Sequence, residues 1–236
     1  MWRHSITLIC IAVLLGGCSP KITVRIDSIT DQVEPMREKK YVLYSAVKGI
    51  SVDDLYFREH SGYFREILKQ QGYREVQDRE NADVAIYFDY GISGGKVIHH
   101  TYTRPVYATV GGETIDVTER HIDASGKTTS KTTRSVFIPP REYVVGITTE
   151  RESYTVYTTH ALLEAKAIKP EDQTQDGRTL WKTIITTTSQ LDDLRRLMPM
   201  LAIASAPYLG TNTRGVQTVD LGENDPRVLE MKHLGF

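Results

Sequence analysis

The chain has 236 residues, enough for one ordinary globular domain, with 29 basic against 30 acidic side chains and a formal net charge of -1. This balance argues against a nucleic-acid-binding protein, because such proteins need an excess of basic side chains to contact phosphates. The two cysteines, Cys10 and Cys18, both lie in the first eighteen residues, which excludes a disulfide framework or a thiolate metal site in the rest of the chain.

Residues 1–17 have the pattern of a secretory signal peptide. Arg3 and His4 supply a polar, cationic start, and Ile6 to Leu15 form an apolar run of about ten residues. A membrane-spanning helix needs roughly twenty apolar residues, so this run is too short for a permanent anchor. We therefore expect a segment that directs export and is then removed.

The signal ends in Leu15-Gly16-Gly17-Cys18, which resembles a bacterial lipobox; an ordinary signal peptide is the alternative. Small residues let the backbone enter a narrow peptidase site, and the cysteine thiol then carries acyl chains. Each buried methylene of those chains contributes about 0.8 kcal/mol, so more than one chain anchors stably. Ser19, in place of an aspartate, is typical of sorting to the outer membrane. The sequence thus predicts lipidation of Cys18, with a domain facing the periplasm.

The first elements after Cys18 are two strands and a helix. Apolar residues alternate over Lys21–Ile26, and Tyr41–Ala46 is apolar on both faces, which is typical of an interior strand. Ser51 with Asp54 resembles a capping box, and apolar residues then recur at helical spacing until Gly72. This pattern predicts an amphipathic helix that packs on a sheet.

Ala82–Tyr90 predicts a strand, and an irregular insertion follows at about 94–150. Within it, Val97–Val110 and Val136–Ile147 have extended patterns. Asp123–Arg134 is rich in Ser, Thr, Lys and Gly and has too little apolar surface to order itself. We expect the insertion to be an extended β-arm or a flexible loop.

Two long strands and a second helix are predicted next. Ser153–Ile168 and Thr179–Ser189 have strand patterns and are expected to form a hairpin. Ser189 with Asp192 repeats the capping arrangement. Pro199 lies inside the apolar run that follows and is expected to kink the helix or to shift its start.

Together these elements predict an α+β fold. It is expected to be a two-layer sandwich with a mixed or mostly antiparallel sheet, two helices on one face and the β-arm or loop in the middle. The predicted parts are a signal peptide (1–17), a lipidated N-terminus with tether and first strand (18–40), and a single periplasmic domain (41–221). The domain has an irregular insertion at about 94–150, and a polar tail follows it (222–236).

One catalytic pattern is present. Gly91-Ile92-Ser93-Gly94-Gly95 matches the G-x-S-x-G nucleophile elbow and follows a predicted strand. An elbow must open a helix, whereas Lys96–Pro105 has strand composition, so a glycine-rich strand exit is the favoured interpretation. A periplasmic hydrolase using Ser93, with His160 and Asp192 as conceivable partners, is the alternative.

The other polar clusters favour structural roles. His99-His100 would point to opposite faces of a strand and so cannot chelate one metal. Asp53-Asp54 and Asp192-Asp193 lie at helix starts, where carboxylates complement the helix dipole. Lys127, Lys131 and Arg134 form a small basic group. The favoured interpretation is a solvated loop, and a weak contact with anionic glycans or lipid is the alternative. No catalytic residue, cofactor or metal site is therefore predicted.

Five tyrosines lie on or beside the middle β region, interleaved with threonines. They are Tyr102, Tyr107, Tyr143, Tyr154 and Tyr157. Cross-strand packing is one interpretation of these side chains, and a surface for a protein partner is the other.

Six short segments carry a family resemblance. They are Lys40–Leu43, Gly72–Val76, Asn81–Ile86, Leu180–Thr183, Asp193–Pro199 and Ala206–Thr213. Together they resemble a family of uncharacterised bacterial outer-membrane lipoproteins, a domain of unknown function. The resemblance implies a helix-on-sheet fold and brings neither catalytic residues nor an established ligand.

The sequence thus predicts a membrane-anchored, non-enzymatic lipoprotein of the cell envelope. Its periplasmic domain is expected to bind another envelope protein, without a cofactor and without nucleic acid. The alternatives are the Ser93 hydrolase and a purely structural envelope tether.

Overall fold

The computed structural model of the chain describes residues 21–31, 39–168 and 176–235. These residues form two compact units. The first unit comprises the chain up to Lys96 and from Thr155 onward, and the second comprises Val97–Tyr154, close to the insertion expected at about 94–150. The elements show a mixed α+β fold in which strands predominate, as the sequence predicts.

The first unit is built on a mixed sheet. Its strands are β1 (Lys21–Thr30), β2 (Lys40–Ser45), β3 (Arg74–Glu75), β4 (Val84–Ile92), the end of β8 (Arg141–Ile168), β9 (Asp176–Ser189) and β10 (Gln217–Gly222). Their order across the sheet is β10-β1-β9-β8-β4-β2-β3. β2 pairs in parallel with β3 and β4, and the remaining neighbours are antiparallel.

β1 lies inside this sheet, between β9 and β10. Its side chains alternate strictly between buried and exposed, with Ile22, Val24 and Ile26 in the core. This alternation is what a strand with one face on a core requires. The segment assigned to the tether and first strand therefore supplies an interior strand of the sheet.

Three helices complete the first unit: α1 (Leu55–Gln70), α2 (Leu194–Ser205) and α3 (Pro226–His233). The sequence predicted two of these helices. The third, α3, lies in the segment 222–236, which was expected to be a polar tail. Asp225 caps α3, Pro226 opens it, and Val228 and Met231 are buried three residues apart on one face. In the described part of the chain, no helix has the length and apolar character needed to cross a membrane.

The helix caps differ from those expected. The carboxylate of Asp54 accepts the N–H groups of Tyr56 and Phe57, so Asp54, and not Ser51, is the N-cap of α1. Asp193 likewise caps α2 through the N–H of Arg195. A carboxylate at these positions combines capping with a favourable interaction with the helix dipole. Because α2 starts at Leu194, its proline lies in the second turn.

One apolar cluster joins all three helices to the sheet. It contains α-helical residues such as Phe57, Leu197 and Val228 together with Phe88 and Trp181 from the strands. Many of these side chains are completely shielded from water. The hydrophobic effect therefore stabilises the first unit through a continuous core.

The second unit, Val97–Tyr154, is called the ribbon below. It contains β5 (Lys96–Val110), β6 (Glu113–Ile122), β7 (Thr128–Ile138) and residues 141–154 of β8. β5 pairs with β8, and β6 pairs antiparallel with β7. The structure thus describes the middle of the chain as extended strands.

The polar segment Asp123–Arg134, expected to lack the apolar surface needed for order, is mostly a turn and strand β7. The carboxylate of Asp123 accepts the N–H groups of Ser125 and Lys127 and closes the turn. Backbone hydrogen bonds to β6 then satisfy β7. Local turn chemistry and a paired strand replace the missing apolar surface.

Candidate functional site

The predicted lipidation residue, Cys18, lies outside the described residues, as does the predicted signal peptide. The candidate sites that the structure describes are the Ser93 region, the polar clusters, a cleft beside α1 and the ribbon.

Ser93 follows the end of β4 and is tied to β8. Its hydroxyl oxygen accepts the N–H of Thr158 at 2.9 Å, and its own N–H donates to the carbonyl of Thr158 at 2.9 Å. The next element is strand β5, so no helix begins here. A Cβ at Gly95 would lie 2.5 Å from the methyl group of Thr155. Close approach of two strands therefore accounts for a glycine of this motif.

His160 pairs with Asp89 and not with Asp192, the partner considered for a hydrolase. Its Nε2 lies 3.4 Å from Oδ2 of Asp89, whereas Asp192 precedes α2 in the chain. His160 is opposite Gly91 in the β4–β8 ladder, and a Cβ at Gly91 would lie 2.9 Å from Cε1 of its ring. Asp89 and Gly91 share one face of β4 because they are two residues apart, and Ser93 lies one residue beyond the end of this strand. The hydroxyl of Ser93 contacts the backbone N–H of Thr158 and neither His160 nor Asp89.

We expect a fluorophosphonate probe to leave Ser93 unlabelled in the folded protein. The reason is that its hydroxyl accepts a backbone hydrogen bond and that no helix N-terminus follows to support an oxyanion. Mass spectrometry of the labelled chain measures this, with Ser93→Ala as the control for background. Labelling of the parent that is lost in Ser93→Ala would contradict the expectation and support the hydrolase alternative.

The histidine and basic clusters are also separated by the fold. His99 contacts the hydroxyl of Ser153 at 2.8 Å, whereas the ring of His100 stacks near that of Tyr102. Among the described residues, no group of three or more His, Cys, Asp or Glu side chains is placed to hold a metal. Arg134 pairs with Glu119 at 3.2 Å, so the predicted basic group is partly neutralised.

A cleft of about 340 Å³ lies beside α1 and β3 and was not predicted. Its lining residues are Tyr41, Arg65, Glu66, Lys69, Tyr73, Arg74 and Glu75. Arg65 pairs with Glu75 at 3.0 Å, and Lys69 pairs with Glu66 at 3.4 Å. Burial and the nearby carboxylate of Glu75 raise the pKa of Tyr41. The two acids of the cleft are thus already occupied by cations of α1.

His60 is a buried histidine of α1, with only 2% of its surface exposed. Its ring packs edge-on against Tyr90 at 4.9 Å, and its Nδ1 has no hydrogen-bond partner among the described residues. Burial lowers the pKa of His60. The nearby charges of Glu59 and Arg195 act in opposite directions and are smaller influences.

This burial predicts a pH dependence of stability. The unfolded state binds a proton on His60 more readily than the folded state does. The stabilisation of the fold by neutral His60 is therefore fully present above the ordinary pKa of about 6.5 and is lost as pH falls below that value. We expect His60→Phe to flatten the loss of unfolding free energy between about pH 7 and pH 5.5, measured by urea denaturation. Ser61→Ala, at a buried position without a titrating group, is the control and keeps the parent slope. A slope unchanged in His60→Phe would contradict the prediction.

No residue of the ribbon is buried. Its polar cross-strand contacts include the hydroxyl of Tyr102, whose single hydrogen lies within donating distance of two carboxylates, Glu150 at 2.8 Å and Glu152 at 2.9 Å. These hydrogen bonds raise the pKa of Tyr102 to about 12. This tyrosine therefore has the cross-strand role, the first of the two interpretations.

Other large side chains of the ribbon face water. Tyr107 is 59% exposed and Tyr143 is 50% exposed. The exposed large apolar residues are Val97, Val106, Tyr107, Val110, Ile115, Ile122, Phe137, Ile138, Tyr143, Val144, Val145, Ile147 and Tyr154. A single two-stranded ribbon is marginally stable in water, and a large exposed apolar area marks an interaction surface. The ribbon is the strongest candidate for a functional surface.

The comparisons with known proteins assign neither a family nor an activity. No family model matches the chain, and no curated protein matches it. A PDZ domain protein from Parabacteroides distasonis ATCC 8503 has a TM-score of 0.35 and 12% identity, covering 90% of this chain and 42% of its own. The PelC dodecamer from Paraburkholderia phytofirmans has a TM-score of 0.34 and 9% identity, covering 80% of this chain and 99% of its own. The chain therefore spans less than half of the first of these two structures.

Proposed function

We propose that the chain is a lipid-anchored, non-enzymatic lipoprotein of the bacterial outer membrane, of the uncharacterised family that it resembles. Its domain faces the periplasm and binds another envelope protein. Leu15-Gly16-Gly17-Cys18 and Ser19 support the anchor and its sorting. The observation that carries the binding role is the ribbon, in which large apolar side chains are exposed and none is buried.

The ribbon has two properties that suit a docking surface. Burying one large aliphatic or aromatic side chain contributes about 1.5–3 kcal/mol, so covering even a few of those exposed here favours binding. β6 and β7 form a two-stranded sheet, so each has an edge without a strand partner among the described residues. Such an edge can accept a further strand through main-chain hydrogen bonds.

The first unit supplies a stable carrier for this surface. All three helices share one apolar cluster with one side of the sheet strands. We assign them to the second layer of a two-layer sandwich, which extends the expected pair of helices by α3. The binding role needs no cofactor and no nucleic acid.

The anchor is tested by metabolic labelling with palmitate in cells producing the full chain. We expect labelling that Cys18→Ser abolishes, and processing that globomycin blocks. Cys10→Ser is the matched control, because this cysteine lies inside the predicted signal and should leave both unchanged. Absence of both labelling and globomycin-sensitive processing in the parent would remove the lipoprotein part of the proposal.

The binding role is tested by photo-crosslinking in intact cells. A benzophenone amino acid at Tyr143 is expected to trap a discrete protein, identified by mass spectrometry. The control carries the same group at Tyr56, which is 62% exposed on α1 in the first unit, and should trap none. A purely structural tether predicts no discrete adduct at either position.

A further inference from the structure

The two outer edges of the ribbon carry opposite charges in its β6–β7 half. β6 has three carboxylates and one guanidinium, a formal charge of -2. β7 has one lysine and one arginine and no acid, a formal charge of +2. Within the hairpin the strands already use this difference, since Arg134 pairs with Glu119 and Ser135 donates to Asp116. Outside this ion pair, Glu113, Asp116 and Arg120 of β6 and Lys131 of β7 have no ion pair among the described residues, so β6 keeps a net negative charge and β7 a net positive one.

The signs reverse in the other half of the ribbon. β5 carries Lys96 and Arg104 and no acid. Residues 141–154 of β8 carry three glutamates and two arginines, a formal charge of -1. Along the β5–β6 edge the charge is therefore positive and then negative, and along the β8–β7 edge it is negative and then positive. The two edges of one ribbon complement each other over both halves.

A second copy of this chain carries both edges and therefore offers the complement of each. We propose that the ribbon binds the ribbon of a second copy of this chain, side by side, with the β8–β7 edge of one copy against the β5–β6 edge of the next. This inference rests on the proposed role of the ribbon as the docking surface. The contact is antiparallel, because β6 and β7 run in opposite directions and the next copy repeats them in the same order.

A symmetric contact centred on one strand is disfavoured by charge. A two-fold axis at the middle of β6 or of β7 would place that strand against its own copy, so that like charges meet across the new ladder. A two-fold axis at the β5–β6 junction would pair unlike halves, but it would not bring Thr118 of one copy beside Thr133 of another, which the cysteine test below requires. Lys131 already lies opposite Arg120 within the hairpin and has no ion pair among the described residues. A neighbouring β6 would bring carboxylates to its free side. Because the contact joins two different edges, assembly continues from copy to copy until a ring closes or a filament forms.

Charge reversal with mixing tests the pairing. One variant carries Lys131→Glu and Arg134→Glu, so that both hairpin strands are acidic. The other carries Asp116→Lys and Glu119→Lys, so that both are basic. Sedimentation velocity of the full processed chain in detergent is expected to show association weakened by about tenfold or more in each variant alone. An equimolar mixture should recover the association, because the acidic edges of one variant then meet the basic edges of the other.

Mixing separates the proposed contact from effects inside one hairpin. Each variant loses the ion pair between Arg134 and Glu119, and mixing does not restore that pair within either chain. The matched control reverses two exposed charges of the first unit, Arg25→Glu and Lys48→Glu, and should assemble like the parent. Higher salt should weaken assembly of the parent, since exposed charges are screened.

Single cysteines test the edges without changing charge. Thr118→Cys on β6 and Thr133→Cys on β7 are made in separate, differently tagged chains. A bismaleimide is expected to join one variant to the other, whereas either variant alone should give little product. Dominant products between identical variants would overturn the side-by-side arrangement.

Two outcomes separate this inference from the proposed function. If the parent chain sediments as a monomer at high concentration and low salt while Tyr143 crosslinks to a different protein, the self-association is wrong and the docking role stands. If the parent is monomeric and Tyr143 traps nothing, both are wrong. Crosslinking of Tyr143 to a second copy, with recovery on mixing, supports the self-association and the ribbon as the docking surface, and a different protein trapped at the same position would in addition support the envelope partner.

Discussion

Replacing Trp181 by alanine is expected to lower the free energy of unfolding by about 3–5 kcal/mol, a large fraction of the roughly 5–15 kcal/mol that is typical of native proteins. Trp181 lies in β9 with 1% of its surface exposed and is among the largest fully buried side chains. Its indole N–H donates to the hydroxyl of Tyr73 at 3.2 Å. The substitution thus opens a cavity and also leaves the hydroxyl of Tyr73 without its donor.

Two further variants separate these contributions. Trp181→Phe keeps much of the ring volume but removes the donor, and Tyr73→Phe removes the acceptor. Trp181→Phe leaves the hydroxyl of Tyr73 unpaired and a small void, and Tyr73→Phe leaves the indole N–H of Trp181 unpaired. Each should lower the free energy of unfolding by about 1–3 kcal/mol. Urea denaturation gives the midpoint and slope for every variant. A Trp181→Ala protein within 1 kcal/mol of the parent would show that β9 does not carry the core described here.

Met231→Ala is expected to lower the free energy of unfolding by about 2–5 kcal/mol. Met231 is 3% exposed, and together with Val228 it packs from α3 into the apolar cluster. The segment was expected to be a polar tail, for which the same substitution would have no effect. The prediction therefore tests whether the end of the described chain is part of the fold.

Leu229 is the matched control for α3. It lies in the same helix, two residues earlier, and is 41% exposed. Surface substitutions away from special features change stability by about 0.5 kcal/mol or less, so Leu229→Ala should be close to neutral. Equal effects of the two alanine variants in urea denaturation would argue against packing of α3 on the core.

The two units differ in what stabilises them. The first has a continuous core from three helices and the sheet, and the second has backbone ladders and polar contacts without a buried side chain. A partner that covers the ribbon would supply the apolar burial that it lacks. This difference is the physical basis for proposing that the first unit is a carrier and that the ribbon is the binding surface.

Features with a local cause could be predicted from the sequence alone. The period-two alternation of β1 and the helical spacing in α1 are determined by neighbouring residues, because strand and helix geometry fix which side chains share a face. The α+β class follows from the same patterns. The segment that resembles a lipobox is also a local motif, and the lipidation of Cys18 that it indicates stays a prediction.

Pairings between distant residues were decided only by the tertiary structure. The Trp181–Tyr73 hydrogen bond joins residues 108 apart, and the His160–Asp89 pair replaces the imagined partner Asp192. The polar hairpin from Asp123 is stabilised by backbone hydrogen bonds to β6, which composition does not reveal. Register across a sheet depends on which strands meet, and no short segment encodes that choice. For this reason the exposure of the ribbon and the opposite charges of its edges emerge only in the folded chain.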